Sequence, residues 1–280
     1  MHKLLAVDVD GTLLRRDGQI DQRDEQAIGS LRARGVRVTI VTGRLYSGTR
    51  ELVRRLGLDA PVACADGAAI VDSHSERELE HTGIAGAAAA LLRRALRKRE
   101  LALFPFYGDA VLHDERGLVL RRYLANWTPV LEQVGDVLEH PCWSDPRGIS
   151  TIVAVGPVPA VTELAVELRG TALFAVDDFA VARALGVPAE QGIRALLAHA
   201  AGVTKGAAVR RVAELCGCEP GEVVSVGDWV NDVPMFAASG RSFAMAHAPE
   251  PVRSAATDVL AADSSTGGGV AEAIARAWPG

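Results

Sequence analysis

The stretch Lys3–Leu14, which reads KLLAVDVDGTLL, decides the fold. Leu4–Val9 is apolar at every position except Asp8, and Gly11 follows it. This pattern predicts a short buried strand. Apolar runs of this length suit the middle of a parallel sheet that helices cover on both faces. The opening of the chain therefore predicts an α/β protein.

Two carboxylates, Asp8 and Asp10, lie where the predicted strand ends. Side chains alternate along a strand, so positions two apart point to the same side. Two acids held close together repel each other unless a cation or a proton intervenes. The carboxyl ends of parallel strands are also where α/β proteins bind ligands. We interpret the pair as a nucleophile beside a general acid/base, held by a hard metal ion. The alternative is an acidic turn.

The composition excludes several classes of protein. The chain has 280 residues, 49% hydrophobic and 23% charged, which indicates a globular protein of one large or two modest domains. A net charge of −5 without a basic tail argues against nucleic-acid binding. We expect no membrane span, since no apolar run approaches ~20 residues, and no signal peptide. Cys64, Cys142, Cys216 and Cys218 are expected to be free thiols, which suits a cytoplasmic protein.

Strand and helix patterns alternate in the first 70 residues. The predicted strands are Leu4–Val9, Val36–Val41 and Pro61–Ala65, and the predicted helices between them are Arg23–Arg34 and Tyr46–Leu56. This β-α-β-α-β order is typical of a doubly wound parallel sheet.

The rhythm changes after residue 73 and resumes near residue 193. The middle of the chain mixes hairpin signals with the predicted helices Ala85–Arg99, Gly117–Asn126 and Pro159–Leu168, which indicates a separate α+β module. From Ile193–Ala198 onward, strand and helix patterns alternate again. We therefore predict a Rossmann-like core from residues 1–83 and 191–280, with an inserted α+β cap at 84–190.

Two polar residues at the starts of predicted helices have open interpretations. Thr42 follows a strand, where its hydroxyl could hold a phosphate oxygen or cap the next helix. Lys205 begins a helix, where a positive charge is poorly placed against the macrodipole. It is expected either to point to solvent or to meet an anion.

The segment Gly227–Asp232, which reads GDWVND, is the most informative pattern after the opening. A strand ends at Gly227, and Asp228 and Asp232 are spaced to face one site, with Asn231 beside them. Carboxylates, carbonyls and waters form the oxygen cage that suits Mg²⁺. Taken alone, the two acids could equally be caps and surface groups.

Four segments resemble, in order and spacing, the motifs of the haloacid dehalogenase superfamily of phosphohydrolases. They are Asp8–Thr12 (DVDGT), Thr42–Arg44 (TGR), Lys205-Gly206 and Gly227–Asp232. The long insertion and the residues of the second and fourth motifs resemble those of the Cof-type branch. The resemblance covers the whole chain. It implies a cap that closes over the site and selects the leaving group.

The resemblance also implies a role for each matching residue. Asp8 would attack phosphorus and carry an aspartyl-phosphate, while Asp10 would act as general acid and then general base. Mg²⁺ would be held by Asp8, the Asp10 backbone carbonyl and Asp228, with Asp232 in support. The implied phosphate- and substrate-binding residues are Thr42, Gly43, Arg44, Lys205 and Asn231.

Several positions depart from the Cof-type pattern. Asp66 stands where relatives usually have Asn, and an acid there would repel a phosphate unless it binds a sugar hydroxyl or pairs with Arg44. Trp229 is large where a small residue is common. His247 stands where Asn is common, and a single His is more often structural than catalytic.

The predicted function is Mg²⁺-dependent hydrolysis of a small phosphorylated metabolite, with a sugar phosphate as the favoured substrate. The alternatives are a phosphotransferase or mutase that uses the same aspartyl-phosphate, and a regulatory protein that binds a phosphometabolite without turnover. The sequence permits either a monomer or a homodimer.

Overall fold

The computed structural model describes residues 2–125, 127–181 and 192–279. In chain order the strands are β1 (Leu4–Val7), β2 (Arg37–Ile40), β3 (Val62–Cys64), β4 (Ala69–Val71), β5 (Glu78–His81), β6 (Ala102–Tyr107), β7 (Ala110–His113), β8 (Leu131–Gln133), β9 (Thr151–Pro157), β10 (Phe174–Ala180), β11 (Ile193–Ala200), β12 (Val223–Gly227), β13 (Arg241–Ala244) and β14 (Asp258–Val259). The α-helices are α1 (Gln22–Ala33), α2 (Arg50–Leu56), α3 (Gly86–Leu96), α4 (Arg121–Leu124), α5 (Val158–Arg169), α6 (Lys205–Leu215), α7 (Val233–Ala237), α8 (Glu250–Ala255) and α9 (Gly269–Ala277).

The chain divides into two compact units. The core unit contains the residues up to Gly43, Arg50–Glu80 and the residues from Thr204 onward. The insert unit contains Arg44–Thr49 and the described residues of His81–Val203.

A five-stranded parallel sheet forms the centre of the core unit, in the order β14-β13-β12-β1-β2. β1 lies between β12 and β2 and is completely buried, because its apolar residues pack on both faces. Leu4 and Ala6 pack with residues of α6, α7 and α8, while α1 contacts β2 and α9 contacts β12. The predicted doubly wound α/β core is confirmed.

The third predicted strand adjoins β2, as expected for the parallel sheet, and also has an antiparallel partner. β3 touches the parallel sheet through a single bridge between Val41 and Ala63, and it pairs antiparallel with β4. Ala65 and Asp66 both have positive φ angles, 49° and 54°, which reverse the chain between these two strands. This reversal brings Asp66 back to the end of β2, where its N–H donates to the carbonyl of Thr42 (2.9 Å).

The insert unit is built on a six-stranded sheet in the order β10-β11-β9-β6-β7-β8. Its pairings are antiparallel except for β7 with β8. α3 and α5 pack against one face, where Leu92, Leu164, Ile152 and Leu196 share a buried cluster. The α+β architecture predicted for the insertion is confirmed.

The predicted second boundary between the two modules is wrong by more than ten residues. β11 pairs with β9 and β10 along its whole length, so it belongs to the insert sheet and not to the core. The core resumes only at Thr204. The expected linker Pro188–Gly192 lies almost entirely outside the described residues. The helix predicted over Gly117–Asn126 is a 3₁₀ helix, Glu115–Leu120, followed by the single turn of α4.

No helix in the described ranges is both long and apolar enough to cross a bilayer. In the part of the chain that the structure describes, no disulfide joins Cys64, Cys142, Cys216 or Cys218.

Candidate active site

Asp8 and Asp228 lie side by side because β1 and β12 are neighbouring parallel strands. Each acid is the first residue after its strand. The N–H of Asp8 donates to the carbonyl of Val226 (3.0 Å), which extends the ladder to the edge of the sheet. Two acids that are 220 positions apart are therefore brought to one point by the sheet register.

Asp232 reaches the same point by a tight 3₁₀ turn, Val230–Asp232. Its carboxylate accepts hydrogen bonds from the N–H groups of Asp228 (2.8 Å) and Trp229 (2.9 Å). A Cβ on Gly227 would lie 2.5 Å from this carboxylate, so only glycine allows so close an approach. One oxygen of each of Asp8, Asp228 and Asp232 lies within 4.8 Å of the others, and all three residues are buried.

Lys205 is the counter-charge of this acidic cluster. It begins α6, whose N-cap Thr204 accepts a hydrogen bond from Ala207 N–H (3.1 Å). Its Nζ lies 2.6 Å from Asp8 Oδ1 and 2.6 Å from Asp232 Oδ1, and its side chain is only 2% exposed. Of the two options left open by the sequence, contact with anions is the observed one, and these anions are carboxylates of the chain itself.

Burial and crowding disfavour the charged carboxylates. Burial, with Asp232 and Asp228 nearby, raises the pKa of Asp8 well above its ordinary value against the opposing effect of Lys205. Burial likewise raises the pKa of Asp232. Burial works against the charge of Lys205, but Asp232 and Asp8 outweigh it and raise the Lys205 pKa well above its ordinary value. Three carboxylates against one ammonium leave excess negative charge, which a cation would relieve.

The loop after β1 also contacts the Asp228 carboxylate. Thr12 Oγ1 donates to Asp228 Oδ1 (3.1 Å). Gly11 has a φ of +89°, and a Cβ there would lie 2.4 Å from Asp228 Oδ2, so glycine is required on both counts. Asp10 is exposed in this loop, and its carboxylate is not a member of the acidic cluster.

The residues of the second motif divide between the two units. Thr42 is buried just after β2, and the helices that follow begin at Tyr46 and Arg50, so Thr42 does not cap either of them. Gly43 ends this part of the core unit. Arg44 belongs to the insert unit, where it donates to the carbonyl of Gly48 (3.3 Å).

Asp66, one of the departures from the family pattern, pairs with Asn231. The Asn231 amide donates to Asp66 Oδ1 (3.0 Å). Asp66 is 4% exposed, and its charge helps to raise the pKa of Lys205. The acid at this position therefore belongs to the same electrostatic environment as the acidic cluster. Trp229, the residue after Asp228, is 47% exposed.

His247 is the residue of this site that the sequence left unassigned. Its Nε2 lies 3.0 Å from Asp228 Oδ2, and its Nδ1 accepts a hydrogen bond from the N–H of Ser264 (3.2 Å). The sequence gives one indication of a role for His247, which is that Asn, another hydrogen-bonding residue, is common at this position in Cof-type relatives.

The family model for haloacid dehalogenase-like hydrolases matches residues 5–132 and 194–274 of the chain. Pyridoxal phosphate phosphatase YbhA of Escherichia coli is 26% identical over 270 residues, which cover 92% of this chain and 93% of that protein. 5-Amino-6-(5-phospho-D-ribitylamino)uracil phosphatase YwtE of Bacillus subtilis is 25% identical over 285 residues, 95% of each chain.

A solved structure supports the same fold. A haloacid dehalogenase-like hydrolase from Bacteroides thetaiotaomicron superposes with a TM-score of 0.78 at 23% identity, covering 99% of this chain and all of that one. The family match extends over the segments that carry the acidic cluster and Lys205. The chain therefore belongs to the haloacid dehalogenase-like hydrolase family and is a phosphohydrolase that acts on phosphoric monoesters.

Proposed function

We propose that this protein is a Mg²⁺-dependent phosphatase of small phosphorylated metabolites, with Asp8 as the nucleophile. The observation that carries the proposal is the buried cluster of Asp8, Asp228 and Asp232, with Lys205 bonded to two of these acids. Such a cluster is costly for stability, because unneutralised buried carboxylates repel. It is useful where a doubly charged phosphate must approach an anionic nucleophile.

The donor set fits Mg²⁺, which prefers hard oxygen ligands. Asp8 and Asp228 would hold the ion directly, together with the backbone carbonyl of Asp10. Both oxygens of Asp232 already accept hydrogen bonds, from Lys205 and from two backbone N–H groups, so Asp232 would support the site. When bound, the ion would neutralise negative charge on the phosphate and on the acids.

The chain's own residues would perform the transfer in two steps. A carboxylate oxygen of Asp8 forms a bond to phosphorus while the ester P–O bond breaks, and Asp10 gives a proton to the leaving oxygen. A water molecule then attacks phosphorus, its proton passes to Asp10, and the P–O bond to Asp8 breaks to release phosphate. Lys205 stabilises the added negative charge. Thr42, Gly43, Arg44 and Asn231 would bind the phosphate and its surroundings.

The substrate class rests on the relatives and on the insertion. The two relatives are named for the phosphorylated compounds pyridoxal phosphate and 5-amino-6-(5-phospho-D-ribitylamino)uracil. Both are small phosphate monoesters, as are the sugar phosphates that the sequence favours. The insert unit is proposed to be the lid that selects among them.

Phosphate release tests the proposal. Purified protein is incubated with p-nitrophenyl phosphate, pyridoxal phosphate and a panel of sugar phosphates, each with Mg²⁺ and again with excess chelator. We expect turnover with Mg²⁺ and none after chelation. Asp10→Asn should lose ~100- to 10,000-fold in kcat, the usual worth of general acid–base catalysis. The exposed Asp59→Asn is the matched control. Full activity in chelator, or phosphoryl transfer to an added alcohol without free phosphate, would overturn the proposal.

A further inference from the structure

His247 connects two segments of the core unit through its two ring nitrogens. It lies three residues after β13, with Nε2 3.0 Å from Asp228 Oδ2 and Nδ1 3.2 Å from the backbone nitrogen of Ser264. The imidazole is thus held between the loop that precedes α9 and the carboxylate that follows β12.

The backbone partner decides which ring nitrogen carries the hydrogen. The N–H of Ser264 can only donate, so Nδ1 must accept and must carry a lone pair. The ring hydrogen is then on Nε2, which is the atom that faces Asp228. Ser264 therefore fixes the tautomer that makes His247 a hydrogen-bond donor to Asp228.

Among the described residues, each oxygen of the Asp228 carboxylate has one hydrogen-bond donor. Oδ1 accepts from Thr12 Oγ1 at 3.1 Å, and Oδ2 accepts from His247 at 3.0 Å. A carboxylate oxygen can accept about two hydrogen bonds, so each oxygen keeps capacity for a further ligand. Two donors on two different oxygens prevent rotation of the carboxylate.

We infer that His247 is a positioning residue, which orients Asp228 for the metal ion and acts only through that carboxylate. This inference rests on the proposed function, because Asp228 is a metal ligand only if the Mg²⁺ site is real. Hydrogen bonds from outside the ligand set typically change metal affinity by about 10- to 100-fold when they are removed. A neutral donor orients the carboxylate without placing a positive charge next to the cation.

Three substitutions of His247 separate its two hydrogen bonds, and a fourth substitution at another histidine is the control. The amide nitrogen of Gln can occupy the position of Nε2, so His247→Gln keeps the donor to Asp228. The amide oxygen of Asn can occupy the position of Nδ1, so His247→Asn keeps only the acceptor for Ser264. His247→Phe keeps the ring shape and loses both bonds. His74→Gln, at an exposed position of the core unit, is the matched control.

The test is the dissociation constant of Mg²⁺, measured by titration calorimetry on metal-free full-length protein. We expect the wild type, His74→Gln and His247→Gln to bind with similar affinity. His247→Phe and His247→Asn should bind about 10- to 100-fold more weakly. If His247→Phe fails to fold, the comparison of the Gln and Asn variants is sufficient, since only the Gln variant keeps the donor.

Equal affinity of the wild type and the Asn and Phe variants would overturn the positioning role alone. The same holds if His247→Gln binds as weakly as His247→Phe, because the retained donor would then have no effect. If the wild type binds no Mg²⁺, the proposed function fails, and the role of His247 fails with it.

Discussion

The ammonium group of Lys205 lies 2.6 Å from Asp8 Oδ1, although 197 positions separate the two residues in the chain. The same nitrogen is 2.6 Å from Asp232 Oδ1. Both contacts are buried, so a single positive charge compensates two carboxylates in a place that water does not screen. The ion pairs thus hold α6 against the ends of β1 and β12.

Replacement of Lys205 by Met should destabilise the metal-free protein by about 3–5 kcal/mol, because it leaves the buried carboxylates of Asp8 and Asp232 without their counter-charge. The measurement is the free energy of unfolding in urea with chelator present. Lys3→Met, which breaks the exposed pair with Glu222, should destabilise the protein far less. Equal losses in the two variants would show that the buried pairs are not the source of stability.

Asp66→Asn should lower the KM for phosphate substrates. The variant keeps an acceptor for the Asn231 amide, and Asn tolerates the positive φ of this position. One negative charge is removed near Lys205. Two unit charges about 4 Å apart interact by about 1 kcal/mol even in water, which is about fivefold in KM. Steady-state kinetics that show a raised KM would indicate that the Asp66 carboxylate contacts the substrate favourably.

Asp24 of α1 caps α9 in place of the missing side chain of the N-cap Gly268. Its two oxygens accept hydrogen bonds from the N–H groups of Gly268 (3.1 Å) and Ala271 (2.7 Å). Asp24→Ala leaves these donors without a partner and should cost about 1–3 kcal/mol of unfolding free energy. Asp24→Asn retains one acceptor and should cost less. Unfolding of both variants by urea checks this order.

Asp24 should also make the stability of the protein depend on pH. Burial raises the pKa of Asp24, although the two N–H groups oppose this effect. A raised pKa in the folded state means that folding favours the protonated form. The stability that Asp24 contributes is fully present below the unfolded-state pKa of ~3.9. It is lost as pH rises through the folded-state pKa of Asp24. The stability of the wild type relative to Asp24→Asn should therefore fall as pH rises above about 4. A difference that does not change with pH would contradict the raised pKa.

The parts of the fold that follow from local pattern could be predicted. The apolar run of β1 and the β-branched run of β2 indicate buried parallel strands wherever they occur. Parallel strands share one carboxyl edge, so Asp8 and Asp228 could be expected to meet once both strands were assigned. The spacing of Asp232 from Asp228 then brought a third acid to the same edge.

The remaining features depend on pairing and on loops. The apolar sequence of β11 indicates a strand but does not specify its sheet, so the alternation of strands and helices alone predicts a core strand where the structure has an insert strand. The contact of His247 with Asp228 depends on the path of the loop that carries Ser264, which no local pattern encodes. The direct pairing of Lys205 with Asp8 and Asp232 depends on where α6 packs, which the sequence of that helix alone does not determine.

The most direct test of the central claim is to trap the covalent intermediate. Turnover of p-nitrophenyl phosphate with Mg²⁺ is quenched in acid, and borohydride then reduces any acyl phosphate to an alcohol. Peptide mass spectrometry should find homoserine at position 8 in the wild type and none in Asp8→Asn, whose near-ultraviolet circular dichroism should remain native. Turnover by Asp8→Asn, or a phosphorylated residue at any other position, would contradict the account.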